Sequence, residues 1–401
     1  MLNALFVDMN AYFASCEQQM QPALRGRPVG IVATKTDHTC CIAASYEAKK
    51  FGVKTGTGVL DAKRLCPEIR IVVARPELYV RFHHRIIAAV ESCLHVDAVL
   101  SIDEMNCRLL GTERLVDNAI ALGRKVKQRI CADVGACLRC SVGIAPNRFL
   151  AKVASDMQKP DGLTVIQLQD LPHALYTLDL EDLPGIGGRM HAHLLQANVD
   201  TVEKLCALSE PQLAHIWHSV LGTHWYHNLR GHEVLQPPSS RKSIGHSHVL
   251  PPELRNHHAA RAVLINLIHK AAFRLRHLGF WAGHLAVWVE HTGGSWCAKG
   301  ALGGCQDTQT IIEVFDRLWR TYPPKKPYVV GITLYRLVHD TAVTLPLFPE
   351  DRLRTRLAKA MDSINERYGK NTVYFGEIHQ VRHSAPTRIS FTQIPDFTLP
   401  L

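Results

Sequence analysis

The stretch SIDEMNC, Ser101–Cys107, sets two adjacent carboxylates, Asp103 and Glu104, inside what otherwise reads as a strand. Val96, Ala98, Val99, Leu100 and Ile102 precede the pair, and Met105, Cys107, Leu109 and Leu110 follow it. Successive strand side chains point to opposite faces, so one of the two acids should face the interior. An ionised carboxylate there is costly without a partner. Asp8 supplies the first clue. It ends an apolar run in FVDMN, Phe6–Asn10, and if that run is a neighbouring strand, three carboxylates converge at one sheet edge. Hard oxygen ligands grouped this way suit Mg2+, which takes one or two carboxylates together with substrate phosphates. Two such ions clamp an in-line phosphoryl displacement. The plainer alternative is an Asp-Glu pair that caps a turn or meets Arg108.

The chain around this cluster has 401 residues, enough for about two to four domains. A hydrophobic fraction of 46% with 20% charged residues describes a globular protein with a sizeable core. No apolar run reaches the ~18 residues a membrane span requires. The N-terminus MLNALFVDMNAYFAS lacks a basic n-region and carries Asp8 in its apolar run, so it reads as a first strand and not a signal peptide. The expected location is the cytoplasm, with no membrane partner, and the twelve cysteines read as reduced thiols. Cys137 and Cys140 form the one CxxC, with Cys131 just before it, but no second ligand pair follows at zinc-ribbon spacing. Buried strand cysteines are the expectation there. The net charge is +10, and Arg241–Asp340 holds 13 Lys+Arg against 6 Asp+Glu together with nine histidines. A concentrated basic segment suits a polyanionic partner, although a solvated basic surface has the same composition.

Along the chain, residues 1–167 alternate strands and helices, which predicts a mixed α/β domain. The strands expected are NALFVD, GRPVGIVA, CCIAAS, DAVLSIDEMNCRLL, RCSVGIA and LTVI. Helices fall near 11–20, 46–51, 60–65, in ELYVRFHHRIIAAVESCL, in NAIALGRKVKQRICADV and in NRFLAKVASDMQ. Residues 168–235 are helical, with caps at Thr201 and Ser209. QPPSSRKS is a linker by composition. From 241 to 340 the order is β-α-β-β-α-β, the split-βαβ pattern. Residues 344–401 hold one helix and a polar, Pro-rich tail.

Three further stretches carry chemistry. YEAKKFGV puts Tyr46 and Lys49 one helix turn apart on one face. SDMQKPDG sets Lys159 just before Pro160, and a cation on each side of the carboxylates suits a triphosphate whose charge must be neutralised as it reacts. Tyr12 and Phe13 follow Asp8 closely and could floor the sugar of a nucleotide. Each also has a bland reading, as solvated lysine or core aromatic. LPGIG, Leu183–Gly187, fits the hairpin of a helix-hairpin-helix, where Gly185 and Gly187 let backbone N–H groups approach a phosphate. A tight interhelical turn is the alternative.

With these stretches in order, the chain over roughly residues 1–340 resembles a Y-family translesion DNA polymerase. The segments FVDMNAYFASCE, YEAKKFGVKTG, SIDE, SVGIAPNRFLAKVASDMQKPDG and LPGIG carry the resemblance. SCE after MNAYFA, and MDSINERYG near the end, are closer to the catalytic subunit of the bacterial SOS mutagenesis polymerase than to the single-subunit branch. The resemblance implies an α+β multi-domain fold: a palm at 1–167 with fingers inserted at about 28–75, a helix-hairpin-helix thumb at 168–235, and a little finger at 241–340 that binds DNA. It implies template-directed, low-fidelity DNA synthesis from dNTPs on primer-template DNA. Asp8, Asp103 and Glu104, with the Met9 carbonyl, would hold two Mg2+ ions. Phe13 would be the steric gate against ribonucleotides, with Tyr12 beside it. Tyr46, Lys49 and Lys159 would hold the triphosphate, and Arg241 and Lys242 would meet DNA along with the thumb glycines. The sequence departs from the family at Lys49, usually Arg, at Ala43, often a hydroxyl residue, at Asn10, commonly an acid, and after the catalytic pair, where MNCRL stands.

The alternatives are a non-catalytic DNA-binding accessory of a mutasome and a palm-type nucleotidyl cyclase. The first has no need of three carboxylates, and the second none of a thumb hairpin or basic split-βαβ domain. Two protein partners are also expected. Leu345, Leu347 and Phe348 in TLPLF match the apolar part of a sliding-clamp peptide, with Thr344 where Gln is usual. The branch likeness adds an SOS mutagenesis accessory protein.

Overall fold

The structure, a computed structural model, describes residues 1–234, 241–343 and 349–385, with 389 and 394. The clamp-peptide residues Leu345, Leu347 and Phe348 therefore lie outside the described residues. The described residues divide into two compact units, 1–234 and 241–385.

In the first unit the strands are β1 (Ala4–Met9), β2 (Val29–Val32), β3 (Cys41–Ala44), β4 (Arg70–Val73), β5 (Val96–Val99), β6 (Glu104–Arg108), β7 (Cys140–Ala145) and β8 (Leu163–Val165). They form a five-stranded sheet, β5-β6-β1-β7-β8, and a three-stranded sheet, β3-β2-β4. β1 is central and buried at every position, which its run ALFVDM supports on both faces. β4 is a strand that the sequence reading missed. It pairs in parallel with β2.

One expectation is corrected here. DAVLSIDEMNCRLL is not one strand but a hairpin, β5 and β6, antiparallel. Its turn is closed by the Leu100 and Ser101 N–H groups donating to the Glu104 carbonyl, at 2.9 and 3.2 Å. Asp103 thus lies in a turn and Glu104 opens β6, so the alternation argument does not apply to the pair.

The helix Arg148–Met157 is what brings cations to this sheet. Asn147 caps it, its side-chain oxygen accepting from the Leu150 N–H at 2.8 Å. Leu150, Ala151, Val153 and Ala154 are buried against the sheet and the helices beyond. Gly143 on β7 permits the close approach. A Cβ there would run into the Ala151 carbonyl and the Ser155 nitrogen. Four helices follow, Gly188–Gln196, Val202–Ala207, Glu210–Trp217 and Val220–Leu229, with Thr201 capping the second as expected.

The second unit has β9 (Ser243–Val249), a helix His257–His277, β10 (Phe280–His291), β11 (Gly294–Cys305), a helix Thr308–Trp319 and β12 (Pro327–His339). The sheet order β11-β10-β12-β9 and the element order give the split-βαβ arrangement. A helix over Pro349–Tyr368 docks on it through Asp362, which takes a bidentate pair from buried Arg276 at 2.5 and 2.7 Å. The tail beyond that helix was expected to be polar and Pro-rich. Up to 385 it is packed instead: Ile378, Val381 and Ala385 are buried in the unit's core. No helix among the described residues is long and apolar enough to cross a membrane.

Candidate active site

β1 and β6 are antiparallel neighbours with Asp8 directly opposite Glu104. Opposed residues on such strands project from the same face, so the two carboxylates meet. Arg108 stands at the far end of β6, opposite Ala4. The Met9 N–H donates to the Asp103 carbonyl at 2.9 Å, which ties the β5–β6 turn to the end of β1. The Asp103 carboxylate itself accepts from the Ser101 hydroxyl at 2.5 Å. Burial pushes the Asp103 carboxyl up to about 6, with the Ser101 hydrogen bond opposing and the charges of Asp8 and Glu104 reinforcing the rise.

The partner of these acids in the structure is an ammonium. Lys152 Nζ pairs with Asp8 Oδ2, and reaches Glu104 Oε1 at 2.7 Å and Asp156 Oδ2 at 3.2 Å. Lys159 Nζ lies 2.9 Å from Asp8 Oδ2 and 2.7 Å from Asp156 Oδ1. Burial alone would lower both lysines, but the surrounding carboxylates outweigh it and hold both above the usual lysine range. As the side chains stand, no group of three His, Cys, Asp or Glu among the described residues is arranged around a metal position.

Tyr46 and Lys49 sit on a one-turn helix, Tyr46–Lys49, whose N-cap Ser45 hydroxyl accepts from the Ala48 N–H at 3.3 Å. The Lys49 ammonium lies over the Tyr46 ring, 4.4 Å from its centroid. Burial lowers Lys49, Lys159 lowers it further, and Asp8 opposes. Tyr46 is raised by burial, and it too feels Lys159, Asp8 and Asp156. Tyr46, Lys49 and Lys159 are therefore electrostatic neighbours of Asp8.

The two aromatics after Asp8 divide differently from the expectation that both floor a sugar. Tyr12 is buried and donates its hydroxyl to the Tyr79 carbonyl at 2.6 Å. Phe13 remains half-buried and stacks on the Tyr79 ring, with centroids 4.5 Å apart and planes at 15°. Behind them lies fully buried Glu17. It accepts from Arg75 Nε at 3.0 Å, from Arg75 Nη2, from the Tyr79 hydroxyl at 2.9 Å and from Gln21 at 3.1 Å. Asn10 uses both ends of its amide. Its oxygen accepts from the Asp161 N–H at 2.7 Å and its nitrogen donates to Ser141 at 3.1 Å.

Sequence reasoning missed Lys152, Asp156, Ser101 and the Glu17–Arg75–Tyr79 group. A signal existed for the first two: Lys152, Asp156 and Lys159 recur at i, i+4 and i+7, one helical face. Away from the carboxylates, Gly185 has φ +102°, the left-handed region that favours glycine. Gly187 is the extended N-cap of the helix Gly188–Gln196 and has open space where a Cβ would be. In the second unit, half-buried Arg241 and exposed Lys242 lead into β9. Of the three cysteines around the CxxC, Cys140 is buried in β7, whereas Cys131 is exposed and Cys137 half-buried, so the strand reading holds for Cys140 alone.

Comparison with known proteins identifies the family. Residues 7–156 match the impB/mucB/samB family and residues 241–347 its C-terminal domain. The chain is 34% identical to DNA polymerase IV of Moorella thermoacetica, over 92% of this chain and 94% of that one. It is 33% identical to DNA polymerase IV of Pelotomaculum thermopropionicum, over 92% and 93%. The fold is similar to that of a Y-family DNA polymerase chimera of Dbh and Dpo4, with a TM-score of 0.72 and 24% identity, covering 84% of this chain and 100% of that one. The nearness to the SOS mutagenesis subunit rests on its two short stretches alone, since these relatives bear the name DNA polymerase IV. A centre in which β1 sets Asp8 against Glu104, on a chain 34% identical to a DNA polymerase along nearly its whole length, places the protein in the Y family of DNA polymerases.

Proposed function

We propose that this chain is a template-directed, translesion DNA polymerase, that Asp8, Asp103 and Glu104 hold its catalytic divalent ions, and that those ions are Mg2+. The observation that carries the reading is the register of Asp8 opposite Glu104, with both carboxylates drawing one cation, Lys152, into the space between them. A donor set of carboxylate oxygens that collects positive charge this way fits a hard divalent ion. When bound, the ions lower the charge of the triphosphate and favour the primer 3′-hydroxyl as nucleophile.

The chain's own residues do the rest. Lys49 and Lys159 draw the triphosphate oxygens, and the Tyr46 ring fixes where the Lys49 ammonium stands. Lys49 in place of the usual Arg gives a point charge and no fork, so grip on the triphosphate depends less on its orientation. Phe13 presents its half-buried ring to the sugar and excludes a 2′-hydroxyl. The sheet β5-β6-β1-β7-β8 serves as palm, β3-β2-β4 as fingers and the split-βαβ unit as little finger. In that unit Arg241 and Lys242 meet DNA phosphates. The thumb hairpin, with Gly185 and Gly187, grips backbone without reading sequence. TLPLF supplies a weak sliding-clamp tether, and an SOS accessory protein is a second partner.

Primer extension tests the core of this. Glu104→Ala should lose incorporation by at least about 10²–10³-fold, taking the loss of one transition-state-stabilising group as guide, while DNA binding stays near normal. Comparable extension by wild type and Glu104→Ala would favour the accessory reading instead.

A further inference from the structure

Lys152 has no part in the triphosphate contacts assigned above, yet it is the most heavily paired side chain in the site. Its ammonium touches Asp8, Glu104 and Asp156, and only 18% of the side chain is exposed. Asp8 and Glu104 are two of the three carboxylates assigned to the metal. We propose that Lys152 is a built-in counter-cation: it pairs with Asp8 and Glu104 before substrate arrives, and a divalent ion binds only by displacing it. The inference rests on the metal assignment just made.

Three features support displacement over a fixed salt bridge. Lys152 pairs with the carboxylates of Asp8 and Glu104, the same groups that would hold the ion, so ammonium and metal compete for them. Asp156, one turn further along the same helix and 3.2 Å from Nζ, offers the ammonium a second seat within that helix. Asp103 stands apart, held by Ser101 and not by either lysine, so one acid stays available to receive the ion while the others are still paired. The consequence is a site whose acids are partly neutralised without metal, and that loads fully when the metal arrives together with the triphosphate.

The test is Mn2+ binding to the full chain without DNA or nucleotide, read from the free-Mn2+ electron paramagnetic resonance signal. Two mutually exclusive cations are a coupled pair, and such couplings are typically about 5–150-fold. Lys152→Met should therefore tighten Mn2+ binding at least about fivefold, and its melting temperature should rise more steeply with Mn2+ than that of wild type. Lys152→Arg keeps the cation and should bind Mn2+ weakly, as wild type does, which guards against a general loosening of the fold. Lys49→Met removes the same charge from a group that senses Asp8 but makes no ion pair with it among the described contacts, and should change affinity much less. Equal affinity in wild type and Lys152→Met, whether measurable or not, overturns the proposal. So does an equal gain in Lys49→Met, which would mark a general field effect. Adding Asp8→Asn separates the two layers. If it abolishes Mn2+ binding in every background, the metal assignment stands whatever Lys152 does; a Lys152→Met gain that survives Asp8→Asn puts the ion elsewhere and removes both readings.

Discussion

Glu17 sits one helical turn below Phe13 and is fully buried, yet it is not among the residues assigned to metal or nucleotide. Its carboxylate takes four hydrogen bonds, two of them from Arg75 and one from the Tyr79 hydroxyl at 2.9 Å. Because the Tyr79 ring stacks on Phe13, Glu17 fixes the ring that backs the proposed gate. Glu17→Ala removes the anion and strands three donor residues, Arg75, Tyr79 and Gln21. Breaking a buried pair by deleting one partner costs about 3–5 kcal/mol. Arg75 is 44% exposed and can turn to water, which places its share at the low end. The Tyr79 hydroxyl, left without an acceptor, adds about 1 kcal/mol or more. A net loss of about 4 kcal/mol follows, or a fall of about 8–16 °C in the melting temperature of the first unit.

Stability alone would not implicate the gate. Ribonucleotide discrimination, measured as the ratio of kcat/KM for deoxy- and ribonucleotides, should also fall in Glu17→Ala. Glu17→Gln keeps an acceptor for Tyr79 while losing the charge, so it should lose stability and retain most of the discrimination. A melting temperature within about 1 °C of wild type would refute the energetic argument, since that is well under the shift a 1 kcal/mol loss produces. Unchanged discrimination in Glu17→Ala, with the expected loss of stability, would refute the link from Glu17 through Tyr79 to Phe13.

Two further outcomes are expected. Phe13→Ala should admit ribonucleotides, reducing discrimination by about 10–200-fold, the range for one lost apolar contact; an unchanged ratio would assign the gate to another residue. Asp103→Asn should stabilise the metal-free protein at pH 8 and have little effect near pH 4. The sign follows from its raised carboxyl, ordinarily near 3.8 and here about 6. For an acid raised by folding, stability falls as pH climbs from its unfolded value near 3.8 to about 6, and above that the full cost, about 1–3 kcal/mol, is present. Asn removes that cost and keeps an acceptor for Ser101. Melting both proteins across pH without metal checks it, and a wild type more stable than Asp103→Asn at pH 8 would contradict the burial argument.

Most of the fold was legible because its elements have the periodicities their environments demand. The fully buried run of β1, the amphipathic helix after Pro76 and the split-βαβ order all announced themselves. The failures have physical reasons. β4 is only four residues long and lies half-exposed between Pro67 and Pro76, so RIVVA offers neither alternation nor length. The β5–β6 hairpin was read as one strand because its turn contains neither Gly nor Pro. Its closure depends on two N–H groups sharing the Glu104 carbonyl, which no composition reveals.

The candidate site was legible as a set of charges and not as a set of pairs. Asp8, Asp103 and Glu104 were found because acids in apolar strands need an explanation. Lys152 was passed over because a lysine on an amphipathic helix needs none: the polar face of such a helix ordinarily meets water. What turns that face inward is Gly143, 9 residues before Lys152, where the missing Cβ lets the helix backbone close on β7. The same geometry explains Tyr12 and Phe13. Adjacent helical residues point ~100° apart, so only one of the two can look into the site; the Tyr12 hydroxyl reaches the Tyr79 carbonyl inside the fold, and Phe13 is left facing outward. Contacts across the sheet, not residue type, therefore decide which charged and aromatic side chains become part of the centre. The acids are set by strand register, and the cations that balance them by how closely one helix can approach.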